Sequence, residues 1–163
     1  MATTYDKIAT TTLGSAAASI DFTSIAASWT DLRIVLVETS SNSNSIRARF
    51  NSDSGTNYST TIIFGNGSSV TSSASTNLAH IFITNGSSTT IPLMATLDIF
   101  SYAGSTYKTS LATQSRDENG TGVVGNSVQL WRSTSAITDI SLFLSSGNLS
   151  TGTTATLYGI LKA

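Results

Sequence analysis

The sequence contains no cysteine, one proline, one histidine and few charged side chains. Without cysteine there is no disulfide framework, no thiolate metal site and no cysteine nucleophile. Asp, Glu, Lys and Arg make up 10% of the 163 residues, against about a quarter in an average soluble domain. Since the formal net charge is only −1, the composition does not favour nucleic acid or an anionic membrane as a partner.

Long apolar runs are missing too. None approaches the roughly 20 residues that a membrane-spanning helix requires, and residues 1–7 lack the pattern of a secretory signal. Serine and threonine take the place of charge, with 29 Ser and 27 Thr among the 163 residues. Apolar residues still reach 39% and fall in periodic runs, so we expect one soluble, folded domain rather than a disordered chain.

The periodic runs are typical of β-strands. Asp31–Glu38 is rich in branched apolar residues and is predicted to be buried on both faces, whereas Ser45–Asn51 alternates apolar and polar residues. Asn-Gly dipeptides between the runs favour tight turns, and one short helical turn is predicted at Ile25–Trp29. About ten strands indicate a sandwich or barrel. Further strands are predicted at Ser59–Phe64, His80–Thr84, Ile91–Tyr102, Tyr107–Ser115, Gly122–Arg132, Ile137–Leu144 and Thr153–Leu161.

Residues that point to catalysis or metal binding are scarce. His80 lies in an apolar run, where a histidine more commonly has a structural role than a catalytic one. Because the chain has 29 serines, a serine near His80 would not by itself indicate a catalytic pair. Asn51–Asn57 has oxygen side chains at alternate positions like a calcium loop, but Ile62 occupies the position of the bidentate glutamate. We therefore expect no catalytic, metal-binding or cofactor-binding residue, and no enzyme.

The low charge favours assembly with other protein chains. Free-standing β-sandwiches protect their edges with charge, lysine above all, and this chain has Lys7, Lys108 and Lys162 alone. A surface with few ions packs against a partner without the cost of desolvating them. We expect a homo-oligomer whose surface is largely covered by other chains.

Short segments spread over the chain resemble small jelly-roll proteins of tailed bacteriophage virions. The similarity lies in a Phe-Asn-Asp-Gly-Tyr turn and a closing Leu-Tyr-Gly pattern that occur in this order. The segments are Tyr5–Ala9, Ile20–Ile25 with Leu32–Ile34, Arg49–Ser59, and Ala136–Ile140 with Gly147 and Leu157–Ile160.

The resemblance implies a jelly-roll-like antiparallel β-sandwich of about 8–10 strands, spanning residues 15–163 behind an N-terminal arm at 1–14. It further implies a capsid cement (decoration) protein, often trimeric, that is assembled in the host cytoplasm and binds the major capsid protein at the capsid surface. Tyr5, Lys7 and Ile8 are the predicted contacts of the arm with the capsid or a neighbour.

Two other functions stay open. A tail-fibre component that binds a receptor or glycan predicts exposed aromatic side chains grouped at one end of the sandwich. A glycan-degrading enzyme predicts two carboxylates that face each other across a cleft.

Overall fold

The computed structural model describes residues 4–38, 44–86 and 91–161, which form two antiparallel β-sheets. These residues contain no helix, and thus none that could cross a membrane. The all-β antiparallel sandwich expected from the sequence is confirmed. The strands are β1 (Tyr5–Thr12), β2 (Ser19–Phe22), β3 (Asp31–Glu38), β4 (Ile46–Phe50), β5 (Tyr58–Gly65), β6 (Val70–Leu78), β7 (Ile81–Phe82), β8 (Leu93–Phe100), β9 (Lys108–Asp117), β10 (Gly122–Trp131), β11 (Ile140–Leu144) and β12 (Thr154–Ile160).

Eight of these strands form nested pairs. β1 pairs with β12 and β3 with β8 in the large sheet, while β2 pairs with β11 and β4 with β7 in the small sheet. If the other four strands are left out, the strand orders of the two sheets are β1-β12-β3-β8 and β2-β11-β4-β7. This nesting of first with last strands, divided between two sheets, is a jelly-roll arrangement.

The other four strands are two hairpins, inserted at different points of the chain. β5 and β6 follow β4, and β9 and β10 follow β8, yet both hairpins join the same edge of the large sheet. The large sheet therefore has eight strands, in the order β1-β12-β3-β8-β9-β10-β5-β6. We call β9, β10, β5 and β6 the extension. It brings the number of strands in the described residues to twelve, above the predicted eight to ten.

The core lies between the two sheets and is built by alternation along the strands. In β3, Leu32, Ile34 and Leu36 are buried while the intervening residues are partly or fully exposed, because side chains of a strand alternate between faces. The prediction that this strand is buried on both faces is wrong, since no described residue covers the other side of the sheet. Facing β3 across the core are Ala48 and Phe50 of β4, together with residues of β2 and β11.

Three aromatic rings close one side of the core. Tyr58 and Trp131 are stacked with their ring centroids 6.2 Å apart, and Phe50 meets Trp131 edge-on at 5.6 Å. The buried Tyr58 hydroxyl accepts a hydrogen bond from the backbone N–H of Phe50 at 3.1 Å, so its polar end is satisfied. These contacts fix the first residue of β5 and the last residue of β10 at the place where the extension joins the core.

Two sequence predictions differ from the observed elements. Residues 25–29 form turns and bends rather than a helical turn. Tyr5–Thr12, which falls inside the predicted arm, is an edge strand of the large sheet with Thr12 opposite Thr154. Its hydroxyl-rich sequence hides the alternation that identifies other strands.

Candidate interaction surface

The most unusual surface of the molecule is the outer face of the large sheet, the side away from the core. Neighbouring residues in register form continuous rows across all eight strands, and no residue in two of these rows is charged. One row is Thr10, Thr156, Val35, Thr96, Thr113, Asn126, Ile63 and Ser72. The next is Thr12, Thr154, Val37, Met94, Ser115, Val124, Gly65 and Val70.

The outer face exposes large aliphatic side chains among its hydroxyl groups. Val70 is 73% exposed, Val124 63%, Met94 56% and Ile63 52%. With strands ~4.8 Å apart and a rise of ~3.4 Å per residue, eight strands and six residues span about 34 by 17 Å. That area of about 580 Å² is below the ~800 Å² that each partner buries in a standard protein interface, and is within the range of weaker ones.

The extension has an inverted pattern of side chains. In β10 the aliphatic Val124 and Val128 point outward, while Ser127 and Gln129 are buried under the small sheet. In β9, Leu111 is likewise partly exposed. An exposed apolar patch together with buried polar residues is more informative than either feature alone, because folding by itself favours the opposite orientation.

Hydrogen bonds fix this inverted orientation. Gln129 accepts a hydrogen bond from the Ser110 hydroxyl at 2.9 Å and donates to the backbone carbonyl of Phe82. Ser127 donates to the same carbonyl at 3.0 Å, and Gln114 accepts from the N–H of Asn85 at 2.7 Å. Since buried polar groups cost free energy unless they are paired, these bonds keep the polar side inward and the aliphatic side outward.

Two of the charged side chains on the outer face neutralise each other. Arg33 of β3 binds Asp98 of β8 through two parallel bonds, Nε to Oδ1 at 2.5 Å and an NH2 nitrogen to Oδ2 at 2.8 Å. This hydrogen bonding to Asp98 raises the pKa of Arg33 above its usual value, against the effect of burial. The pair stands between the aromatic end of the sheet and its aliphatic part.

The outer face is not flat at its far end. A shallow depression of about 460 Å³ lies where the β5–β6 and β9–β10 turns meet the start of β8. Met94, Val124 and Gly65 line it, together with Arg116 and Asp117. A partner that fits here would contact both aliphatic and charged groups.

Aromatic side chains gather at the opposite end of the same sheet. Tyr5 packs on Tyr158 with their ring centroids 4.7 Å apart. Phe100 ends β8 and Tyr107 directly precedes β9, and they are 45% and 55% exposed. Exposed aromatic side chains grouped at one end of the sandwich are what we expect of a tail-fibre component that binds a glycan.

The three predicted arm residues occupy different environments. The Tyr5 ring contacts Tyr158, Lys7 is exposed beside the same strand, and Ile8 packs against the core. A bulge between Lys7 and Ala9 interrupts the pairing of β1 with β12 at this point. Tyr5 and Lys7 are therefore accessible to a partner, whereas Ile8 contributes mainly to the sandwich.

The outer face of the small sheet is charged, in contrast to that of the large sheet. Arg49 lies over the ring of Phe143, with its guanidinium carbon 4.6 Å from the ring centroid, and His80 meets that ring edge-on at 6.4 Å. Burial, and after it the charges of Arg47 and Arg49, lower the pKa of His80 to about 4. The imidazole is therefore neutral at pH 7.

We expect His80→Gln to flatten the pH dependence of stability between pH 7 and pH 5. The ordinary pKa of histidine is about 6.5, so between about 4 and 6.5 the unfolded chain binds a proton that the folded chain does not. Wild-type stability therefore falls as pH drops through this window. Urea unfolding midpoints at pH 7 and pH 5 measure it, and because His80 is the only histidine, equal pH slopes for both proteins would refute the assignment.

In the segment Asn51–Asn57, which resembles a calcium loop, the Asp53 carboxylate is occupied by hydrogen bonds within the protein. The Asp53 carboxylate accepts hydrogen bonds from Trp131 Nε1 at 2.7 Å and from the N–H of Gly55 at 2.9 Å, as well as from the Asn57 amide. Although burial acts in the opposite direction, these bonds lower the pKa of Asp53. Across the described ranges no group of three or more His, Asp or Glu residues is placed to hold a metal ion.

No family model, curated protein or solved structure matches this chain. The exposure of the aliphatic residues of the extension is not predicted from the sequence. The available signal was the two-residue period of Gly122–Trp131, which places Val124 and Val128 on the face opposite Ser127 and Gln129.

Proposed function

We propose that this chain is a structural protein of a phage virion, a capsid decoration protein that binds the outer capsid surface as a homo-oligomer. The observation that carries the proposal is the outer face of the large sheet, which has two rows without charge and on which Ile63, Met94 and Val124 are more than half exposed. An apolar surface of this extent is typical of a protein-binding site. The resemblance of several segments to small jelly-roll virion proteins supplies the choice of partner, the major capsid protein.

In this role the outer face would lie on neighbouring capsid subunits and bridge them. A protein that binds the mature shell and not its dissociated subunits stabilises the shell by mass action, by about 2.7 kcal/mol per site at a concentration of 100 Kd. Hydroxyl groups between the aliphatic side chains supply hydrogen bonds without the desolvation cost of ions. Tyr5 and Lys7 remain proposed additional contacts.

A tail-fibre component that binds a receptor or glycan is the second candidate. The exposed Phe100 and Tyr107 favour it, because aromatic rings stack on apolar faces of ligands and the tyrosine hydroxyl adds a polar group at the ring edge. Binding to host-surface glycans that is lost in Tyr107→Ala, with Val124→Ala as the control, would support this candidate over the first.

The copy number of the chain in purified virions distinguishes the two. We expect a ratio to the major capsid protein near one to one, or one to a small integer, by quantitative mass spectrometry. A handful of copies per particle would contradict the decoration role and favour the tail. Absence from purified virions would overturn both.

A further inference from the structure

In the part of the chain that the structure describes, the two sheets have four edge strands, and three of them carry features that block pairing with another chain. β1 has Asp6, Lys7 and the bulge that precedes Ala9. β2 is four residues long and includes Asp21, and β7 is only two residues long. Charges, bulges and short length are the usual protection of sheet edges.

β6 lacks most of this protection. It has nine residues, Val70–Leu78, with no charge and no proline, and all but Leu78 are exposed. No Asp, Glu, Lys or Arg occurs anywhere from Ser54 to Leu97. The register with β5 jumps from Leu78 to Ser75, so one irregularity near Thr76 limits the regular edge to residues 70–75.

This regular edge offers unpaired backbone groups. β6 pairs with β5 on one side only and ends the large sheet. Along an antiparallel edge strand, alternate residues direct their N–H and C=O groups away from the sheet, where another strand can bind them. The groups on this edge therefore suit an added β-strand.

We propose that two copies of this chain pair through their β6 edges, antiparallel and across a two-fold axis, so that their large sheets join into one. Such an interface is isologous, because the same strand serves both partners. An axis at Ser73 places this residue opposite its own copy in the partner, and sets Ser72 opposite Ala74 and Thr71 opposite Ser75. Since all residues of the edge are uncharged and small, no pair repels, and facing hydroxyls can hydrogen-bond.

The pairing goes beyond the proposed function and does not depend on it. Its consequence for that function is that the outer faces of both copies become continuous, because Val70 lies both on the outer face and on the edge. An isologous interface closes at two copies. The isolated chain should therefore have twice the monomer mass of 16.9 kDa, rather than the trimer that the resemblance implies.

Light scattering after size exclusion tests the proposal on the isolated chain. We expect a dimer for wild type and a roughly hundredfold larger dimer dissociation constant for Ser73→Lys, since like charges facing each other oppose binding. Ser73 is exposed, so the fold should be kept. The matched control is Thr10→Lys, an exposed position on the opposite edge of the sheet, which should leave the dimer intact.

Hydrogen exchange provides a second readout that is independent of the mutation. On raising the concentration above the dimer dissociation constant, amides of residues 70–75 should gain protection while those of residues 5–12 should not. A wild-type monomer or trimer, or a dimer without added protection in β6, would overturn the pairing. None of these outcomes bears on virion copy number, so the two proposals can fail separately.

Discussion

Two lysines on the outer face, Ile63→Lys with Val124→Lys, should weaken binding to the capsid by at least about a hundredfold. Both side chains are more than half exposed, so the substitutions should change the free energy of unfolding by no more than ~0.5 kcal/mol. Docking, however, would have to remove two new ammonium groups from water without partners, at several kcal/mol per ion. Co-sedimentation with shells that lack this chain measures the loss.

The control for this experiment carries the same added charge elsewhere. Ala18→Lys with Thr23→Lys places two lysines at exposed positions that flank β2, on the small sheet. This variant should bind shells like wild type. Equal loss in both variants would mean that net charge, and not the outer face, governs binding, and unchanged binding of the first variant would exclude the face as the docking surface.

Gly125→Ala is expected to destabilise the extension. Gly125 lies in β10 opposite Phe64, and an added Cβ would stand 2.7 Å from the Ile63 carbonyl oxygen and 2.7 Å from the Phe64 Cβ. These atoms belong to or adjoin the backbone, so relief requires β5 to move away from β10. Overpacking of this kind costs about 1–3 kcal/mol.

Gly125→Ala should loosen the strands next to β10 in addition to lowering the free energy of unfolding of the whole domain. Since β6 is hydrogen-bonded to β5 alone, hydrogen exchange should accelerate throughout residues 58–78. Gly14→Ala is the matched control, because no atom lies within 4 Å of its added Cβ. Urea unfolding compares the two. A loss in Gly125→Ala no larger than in Gly14→Ala would show that the β5–β10 pairing tolerates a side chain there.

Sequence patterns predict best the long strands that have one packed face. They miss the four-residue β2, although its Ile20 and Phe22 lie in the core. Asp31–Glu38 and Ser45–Asn51 were predicted within a residue of β3 and β4 because one face of each strand is packed with branched or aromatic residues. β6 was not predicted, since both of its faces are exposed and hydroxyl residues show no alternation. β1 was assigned to an arm for the same reason.

The candidate surface was harder to predict, although its residues have a two-residue period. The pattern in β10 shows that Val124 and Val128 share a face, but periodicity does not tell which face is inside. By default the aliphatic face is placed in the core. What reverses the orientation is the carbonyl of Phe82, which binds Ser127 and Gln129 from 45 and 47 residues away and has no local signature.

The nested pairing of strands also sets the order in which the large sheet is completed. β12 is the last of the described strands to be synthesised, yet it lies inside the sheet between β1 and β3. Thr12 and its partner Thr154 are 142 residues apart, so at about 5–20 residues per second the ribosome takes roughly 7–28 s to supply the second after the first. During that time β1 has no partner, and the apolar β3 lacks its neighbour on one side. Loop closure of this length slows folding, and the large sheet cannot be completed until residues 154–160 have been synthesised.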